Sequence, residues 1–74
     1  METPMVTTMC ATVCRVWNCR LLVCDHSNNQ MVVVHTNDAC CWRPGCRIRI
    51  QFNGVVANSM PPQITADQIE SLDC

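Results

Sequence analysis

The alternation of apolar and polar residues along the chain predicts short β-strands. The clearest case is residues 46–52, in which Ile48, Ile50 and Phe52 alternate with polar side chains. Successive side chains of a strand point to opposite faces, so a period of two indicates one buried face and one solvated face. We therefore expect the three apolar side chains in the core and the intervening arginines and glutamine in solvent.

Earlier runs rich in β-branched residues predict three more strands. They cover residues 9–17, 20–25 and 30–36. A tight turn is expected at Asn18-Cys19. Asn28-Asn29 is expected to close a hairpin, because asparagine tolerates a positive φ. Three consecutive valines, residues 32–34, make the third strand apolar on both faces, which predicts a position inside the sheet.

Two parts of the chain do not follow this strand pattern. Residues 37–45 are bounded by turn signals and have room for one helical turn. Residues 65–72 fit two structures. Their first four residues match a capping box that opens a helix, whereas Ile64, Ala66 and Ile69 would line a bulged last strand. Helix and strand both stay open for this segment.

The order of these elements predicts a mainly β fold. Three consecutive strands, an irregular connection and two further strands are the order of a small five-stranded OB-like barrel. It has room for one short helical turn, between strands 3 and 4 or near the C-terminus. A chain of 74 residues forms one domain. We place this domain at residues 9–74, after a flexible, polar N-terminus of residues 1–8.

Three stretches of the second half resemble a family of short OB-like proteins from anaerobic, gut-type Firmicutes bacteria. These stretches are WRPGCRIRI at residues 42–50, FNG at 52–54 and PPQITA at 61–66. The family signature is a Val-Gly-Asp turn into a Val/Ile strand, then Tyr-Asn-Gly and a Ser-Ile-Pro-Pro-Gln-Ile loop. This chain departs from it with Cys46 in place of the usual Asp and Pro44 where Val is frequent. The resemblance spans roughly residues 11–69 on the strand pattern, and it implies a bacterial barrel without a known activity.

Composition and charge argue against several partners. Apolar residues make up 49% of the chain and charged residues 15%, which is the profile of a folded protein. The net charge is −1 and there is no lysine, so no long-range attraction to nucleic acid or an anionic membrane is expected. No apolar run is long enough to span a bilayer. Because the N-terminus lacks the pattern of a secretion signal, we expect a cytoplasmic location.

The eight cysteines are the strongest anomaly of the composition. In a secreted chain this density would indicate a disulfide scaffold. The missing export signal and the presence of only two glycines favour reduced thiols, which pack as small apolar side chains. Under this interpretation Cys10, Cys14, Cys19 and Cys24 are packing residues, or cross-strand pairs in an oxidising environment.

The connection between strands 3 and 4 contains the best candidate for a metal site. Its soft donors are His35, Cys40, Cys41 and Cys46, a set that suits zinc or Cu(I). The Cys-x-x-Cys pairs of standard zinc modules do not occur in the chain. The alternative is that Cys40 or Cys41 plugs the end of the barrel and that Cys46, in phase with Ile48, lies in the core.

We do not expect an enzyme. Cys40 or Cys41 beside His35, with Asp38 orienting the imidazole, would form a nucleophile and base. However, eight cysteines make such a match common by chance, and the chain is small for a substrate pocket.

A nucleic-acid surface would combine an aromatic side chain with cations on one strand face. Its residues would be Arg15, Trp17, Arg20, Arg47 and Arg49. The negative charge and the absence of lysine and tyrosine argue against this function.

The expected function is therefore a non-catalytic, intracellular binding or interaction module. Its partner would be a protein or a small ligand, and no cofactor is required. The first alternative is a thiol-rich protein that binds zinc or copper through the four donors named above, and the second is a single-stranded nucleic-acid binder.

Overall fold

A computed structural model describes residues 6–73 of the chain. Its strands are β1 (Thr7–Val16), β2 (Arg20–Asp25), β3 (Met31–His35), β4 (Arg47–Phe52), β5 (Gln63–Thr65) and β6 (Gln68–Asp73). A single 3-10 turn, Ala39–Cys41, lies between β3 and β4, as predicted. The mainly β class is confirmed, whereas the count of five strands is wrong, because the end of the chain forms two short strands instead of one.

The six strands form one curled sheet, a half-barrel, in the order β5-β3-β2-β1-β4-β6. All neighbours are antiparallel except β3 and β5, which are parallel. The two edge strands are separated in the chain only by Ala66 and Asp67. In a flat sheet of six strands the edges would be about 24 Å apart. Three peptide steps span at most about 11 Å, so the sheet has to curl.

Strand β1 belongs to both halves of this sheet. Its residues Thr7 to Thr12 pair with β4, and its residues Ala11 to Val16 pair with β2. The pairing with β2 shifts register between Val13 and Arg15, which leaves Cys14 as the extra residue of a bulge. A bulge bends its strand and increases the local twist. The bulge therefore supports the curl of the sheet.

The core lies on the concave face and is formed by the inward side chains of the strands. Its buried residues are Ala11, Val13, Leu21, Val23, Val32, Val34, Ala39, Cys46, Ile48, Ile50, Phe52 and Ile64. The alternation predicted for β4 is confirmed. Its three apolar side chains are buried, Arg47 is exposed, and Arg49 and Gln51 are half-buried. The interior position predicted for β3 is also confirmed, since β2 and β5 flank it.

The predicted turns are present. Asn29 adopts a φ of 57° between β2 and β3, the conformation that asparagine tolerates. The turn at Asn18-Cys19 is closed by the backbone amide of Trp17, which donates to the carbonyl of Arg20 at 2.9 Å.

The C-terminal segment is a strand, so the capping-box alternative is wrong. Ile69 of β6 pairs with Ile50 and packs against the core, and the register shifts once between β4 and β6, as expected for a bulged strand. Within residues 6–73 no helix is long and apolar enough to cross a membrane. The predicted flexible N-terminus, residues 1–8, lies partly outside the described residues; its last two residues, Thr7 and Thr8, belong to β1.

Candidate functional site

The four predicted metal ligands lie in different environments. His35 is half-buried at the end of β3, and its Nε2 donates a hydrogen bond to Oε1 of Gln63 at 2.7 Å. Cys40 and Cys41 are free and exposed on the 3-10 turn. Cys46 is buried in phase with Ile48, as its alternative interpretation predicted, and it is disulfide-bonded. In that state its sulfur offers no thiolate to a metal ion.

No group of three or more histidine, cysteine, aspartate or glutamate side chains is placed to hold a metal ion in the described part of the chain. The two donors that remain adjacent are Cys40 and Cys41. Neither plugs the end of the barrel, because Ala39 is the buried residue of the turn. The predicted four-residue site is therefore not assembled in this structure.

The neighbouring thiols on the 3-10 turn influence each other. The pKa of Cys41 is raised above its ordinary value, chiefly by the negative charge that Cys40 would carry. Desolvation, a hydrogen bond with Cys40 and the charge of Asp38 raise it further. Because the thiolate is the nucleophile and the metal ligand, this environment makes Cys41 less reactive at neutral pH.

The cysteines of the first two strands and of the turn between them do not have the packing role predicted for them. Cys10, Cys14 and Cys19 are exposed and Cys24 is half-buried, and all four are free. In β1 the inward positions are taken by Ala11 and Val13, so Cys10 points to the convex face. Cys14, the extra residue of the bulge, has the same phase as Cys10 and is exposed as well.

Three open grooves adjoin one another where β1 turns into β2 and where β3 ends. The first runs along Trp17 and Cys19. The second is lined by Cys19, His35 and Thr65. The third is lined by His35, Thr65 and Val55 of the β4–β5 loop. Because neighbouring grooves share lining residues, they form one elongated surface, which we call the groove surface.

One end of the groove surface is aromatic and basic. The guanidinium of Arg20 lies 5.3 Å from the ring centroid of Trp17, within the range of a cation–π contact. Arg15 lies on the same convex face, because it pairs with Leu22, an outward residue of β2. Within residues 6–73 the ion pairs involve neither Arg15 nor Arg20.

The other two arginines of the predicted nucleic-acid surface are neutralised. Arg47 pairs with Asp73 at 2.5 Å, and Arg49 pairs with Glu70. Both carboxylates come from β6. Of the four arginines considered from the sequence, Arg15 and Arg20 lie on the side of Trp17 and take no part in these ion pairs. Arg47 and Arg49 on β4 are each paired with a carboxylate of β6.

The β4–β5 loop contributes Val55 and Ala57 to the groove surface, and this part of the surface was not predicted from the sequence. Val55 is 67% exposed, and the same loop carries two further exposed apolar side chains outside the grooves, Val56 and Met60, with 51% and 98% of their surface accessible. Apolar residues beside Asn53-Gly54 and Pro61-Pro62 could have indicated this, since turn residues on both sides keep such side chains away from the core.

No model of a known protein family matches the chain, and no curated protein or solved structure shows significant similarity to it.

Proposed function

We propose that the chain is a non-catalytic binding module of OB-like architecture that holds an extended, acidic segment of a partner protein along the groove surface. The observation that carries this proposal is that the three grooves between Trp17 and Val55 share lining residues, Cys19 between the first two and His35 and Thr65 between the last two. An elongated open surface suits an extended chain better than a compact small molecule, which is usually bound in a concave pocket.

The strand pairing supports the OB-like architecture. Strands β1, β2 and β3 form a meander, β4 returns to pair with β1, and β5 runs parallel to β3. Strands β5 and β6 behave as one bent strand, interrupted at Ala66-Asp67, that reaches from β3 to β4. The five-stranded count is recovered if these two are taken together. OB-folds bind their ligands on the face of strands 2 and 3 and on the loops after strands 1 and 4.

The chemistry of the groove surface supports an acidic polypeptide. Arg20 offers a guanidinium group to carboxylates, with Arg15 on the same convex face, while Val55 offers an apolar contact at the other end. Stacking of successive nucleotides needs several aromatic side chains. The surface provides only Trp17 within the described residues, so a protein segment is favoured over single-stranded nucleic acid.

A cytoplasmic location belongs to the same proposal. Six free cysteines suit a reducing compartment, although the disulfide of Cys46 would be unusual there.

The proposal is tested by nuclear magnetic resonance with ¹⁵N-labelled protein and two probes, a ten-residue peptide alternating glutamate and leucine, and oligothymidylate. We expect the peptide to shift the amide signals of Trp17, Cys19, His35 and Val55. Trp17→Ala should weaken peptide binding about tenfold, as for a central aromatic contact. Leu72→Ala is the matched control, since Leu72 is exposed on β6 and should leave binding unchanged.

Each other outcome contradicts the proposal. Tighter binding of oligothymidylate than of the peptide would replace the partner by single-stranded nucleic acid. Shifts confined to other surfaces, or no shifts with either probe, would remove the groove surface as a binding site.

Soft-metal binding is the second candidate function, because Cys40 and Cys41 are adjacent, free and exposed. Two thiols are half of a tetrahedral ligand set, so a bound ion would need a rearrangement that brings in His35 or a second chain. Native mass spectrometry after expression with zinc or copper would show a bound ion that the Cys40→Ser/Cys41→Ser variant lacks. A wild-type protein without metal would exclude this function.

A further inference from the structure

We propose that the outer face of β2 and β3 is a second contact region for the partner segment, which lays apolar side chains on it and directs carboxylates to the arginines beside it. We call this region the outer patch; it consists of Leu22, Cys24, Met31 and Val33. The inference rests on the binding function proposed above. It adds that the partner segment is amphipathic, with apolar side chains at alternate positions.

The outer patch is formed by two cross-strand pairs. Leu22 lies opposite Val33, and Cys24 lies opposite Met31. The residues between them on both strands are buried in the core, so these four side chains point to the convex face. All four are half-buried. Side chains directly opposite each other are about 5 Å apart at Cβ, so the two pairs form one continuous apolar surface.

Contact with water alone does not explain this composition. In an antiparallel sheet with one solvated face, apolar and polar side chains alternate along each strand. Strand β4 follows this rule, since its outward positions carry two arginines and a glutamine. Strand β3 breaks it at Val33, which points outward between two buried valines. This part of the convex face therefore has the composition of a covered surface.

The outer patch adjoins the groove surface on three strands. Arg20, which lines the first groove, is two residues before Leu22 on β2. His35, which lines the second and third grooves, is two residues after Val33 on β3. Gln63 of β5 lines the third groove and pairs with Val33. Residues two apart on a strand are about 7 Å apart, so an extended segment in the grooves passes beside the outer patch. Its alternate side chains point to one side and can reach the patch.

The charges around the outer patch favour an acidic occupant. Arg15 lies opposite Leu22 on β1, and Arg20 precedes Leu22 on β2. Neither arginine takes part in the ion pairs of the described residues. None of the outward residues described in β2, β3 and β5 is a carboxylate. An acidic segment is therefore complementary to this face.

A second copy of the chain fits this face less well. A symmetric dimer places the same surface of both copies in contact. Arg15 and Arg20 of one copy would then lie close to the same two arginines of the other, and like charges across an interface are unfavourable. The charges thus favour an acidic partner segment over self-association.

The test uses the ten-residue peptide that alternates glutamate and leucine. We expect nuclear Overhauser contacts between leucine methyl groups of the bound peptide and the methyl groups of Val33. Val33→Thr keeps the shape of the side chain but replaces a methyl group by a hydroxyl, so it should weaken peptide binding about threefold to fivefold. Met31→Gln is a second variant, in case Val33→Thr does not fold, and should have a similar effect. Val56→Thr is the matched control, because Val56 is exposed on the β4–β5 loop outside the grooves and should leave binding unchanged.

The outcomes separate this inference from the proposed function. If the peptide binds and Trp17→Ala weakens it, but Val33→Thr and Met31→Gln bind as the wild type does, the outer patch is overturned and the groove surface stands. If sedimentation shows a dimer that Val33→Thr dissociates, a second copy covers the patch and the choice of an acidic partner is overturned. Absence of any peptide binding by the wild type would overturn both proposals.

Discussion

Ile48 and Ile50 have no accessible surface, although they lie on a strand whose opposite face carries charged side chains. Their burial follows from the strand period of two and from the neighbours of β4, which is covered by β1 on one side and β6 on the other. Cys46 continues the same phase with 4% of its surface exposed. In a chain this small each such side chain is a large part of the core.

Ile50→Ala is therefore expected to destabilise the protein by about 2–5 kcal/mol, through lost burial and the cavity left behind. Since small domains have only about 5–15 kcal/mol of stability, this change should be easy to detect. Urea unfolding followed by circular dichroism measures it. Gln51→Ala, on the half-buried convex face, is the matched control and should cost far less. Equal midpoints for wild type and Ile50→Ala would contradict the assigned strand register.

Among the elements, two turns depend on glycine to different degrees. Gly54, after β4, has a φ of +85°, and a Cβ built on it would lie 2.9 Å from Oγ1 of Thr7. Gly45, before β4, has a φ of +94°, but a Cβ there would meet nothing within 4 Å. Both positions carry backbone strain for any other residue, and only Gly54 adds a steric conflict.

Gly45→Ala should accordingly cost about 1–2 kcal/mol through the left-handed backbone alone. Gly54→Ala should cost more, because Thr7 must also shift. Comparison of the two thermal unfolding midpoints separates strain from contact. A loss for Gly54→Ala that is no larger than the loss for Gly45→Ala would contradict this expectation, since it would mean that Thr7 moves aside without a penalty.

Strand β6 is attached to β4 both by ion pairs and by apolar packing on the core. Its two ion pairs with β4 are solvent-accessible, with side-chain exposures of 57% and 66% for Arg47 and Asp73. Exposed pairs contribute about 0–1 kcal/mol, so the packing of Ile69 on the core should hold the strand.

Asp73→Asn is expected to change the free energy of unfolding by less than about 1 kcal/mol. Ile69→Ala should cost more, since it removes partly buried apolar surface beside Ile50. Denaturant titration of both variants decides between ionic and apolar attachment. A larger loss for Asp73→Asn than for Ile69→Ala would show that the ion pair, and not the apolar contact, attaches β6.

Across the whole molecule, the curl of the sheet separates two surfaces with different chemistry. The concave face contains the core, in which Cys46 is the buried cysteine of the described residues. The convex face and the turns carry the six free cysteines. Thiol chemistry of this protein therefore takes place at its surface.

This distribution predicts that the six free cysteines all react with Ellman's reagent in denaturant without reductant. In the native state, half-buried Cys24 should react more slowly than the exposed ones. Protein purified under thiol-blocking conditions is the suitable sample. Recovery of one reactive thiol or none would indicate a disulfide scaffold and an oxidising compartment.

Local sequence was sufficient to predict the first strands and the core of β4. The bounds of β2 and the buried residues of β4 follow from local alternation, and the turn at Asn29 follows from its tolerance of positive φ. The packing role predicted for Cys10 was wrong, because Ala11 and Val13 hold the inward positions of β1 and Cys10 points outward. These features depend on neighbours in the chain.

Only the three-dimensional fold determined which strands and side chains come into contact. The bulge at Cys14 changes the phase of β1 without a local signal, and the split of the last strand at Ala66-Asp67 follows from its two partners, β3 and β4. The same holds for the hydrogen bond between His35 and Gln63, and for the carboxylates of β6 that neutralise Arg47 and Arg49. Each requires residues far apart in sequence, and a local pattern carries no information on such pairs.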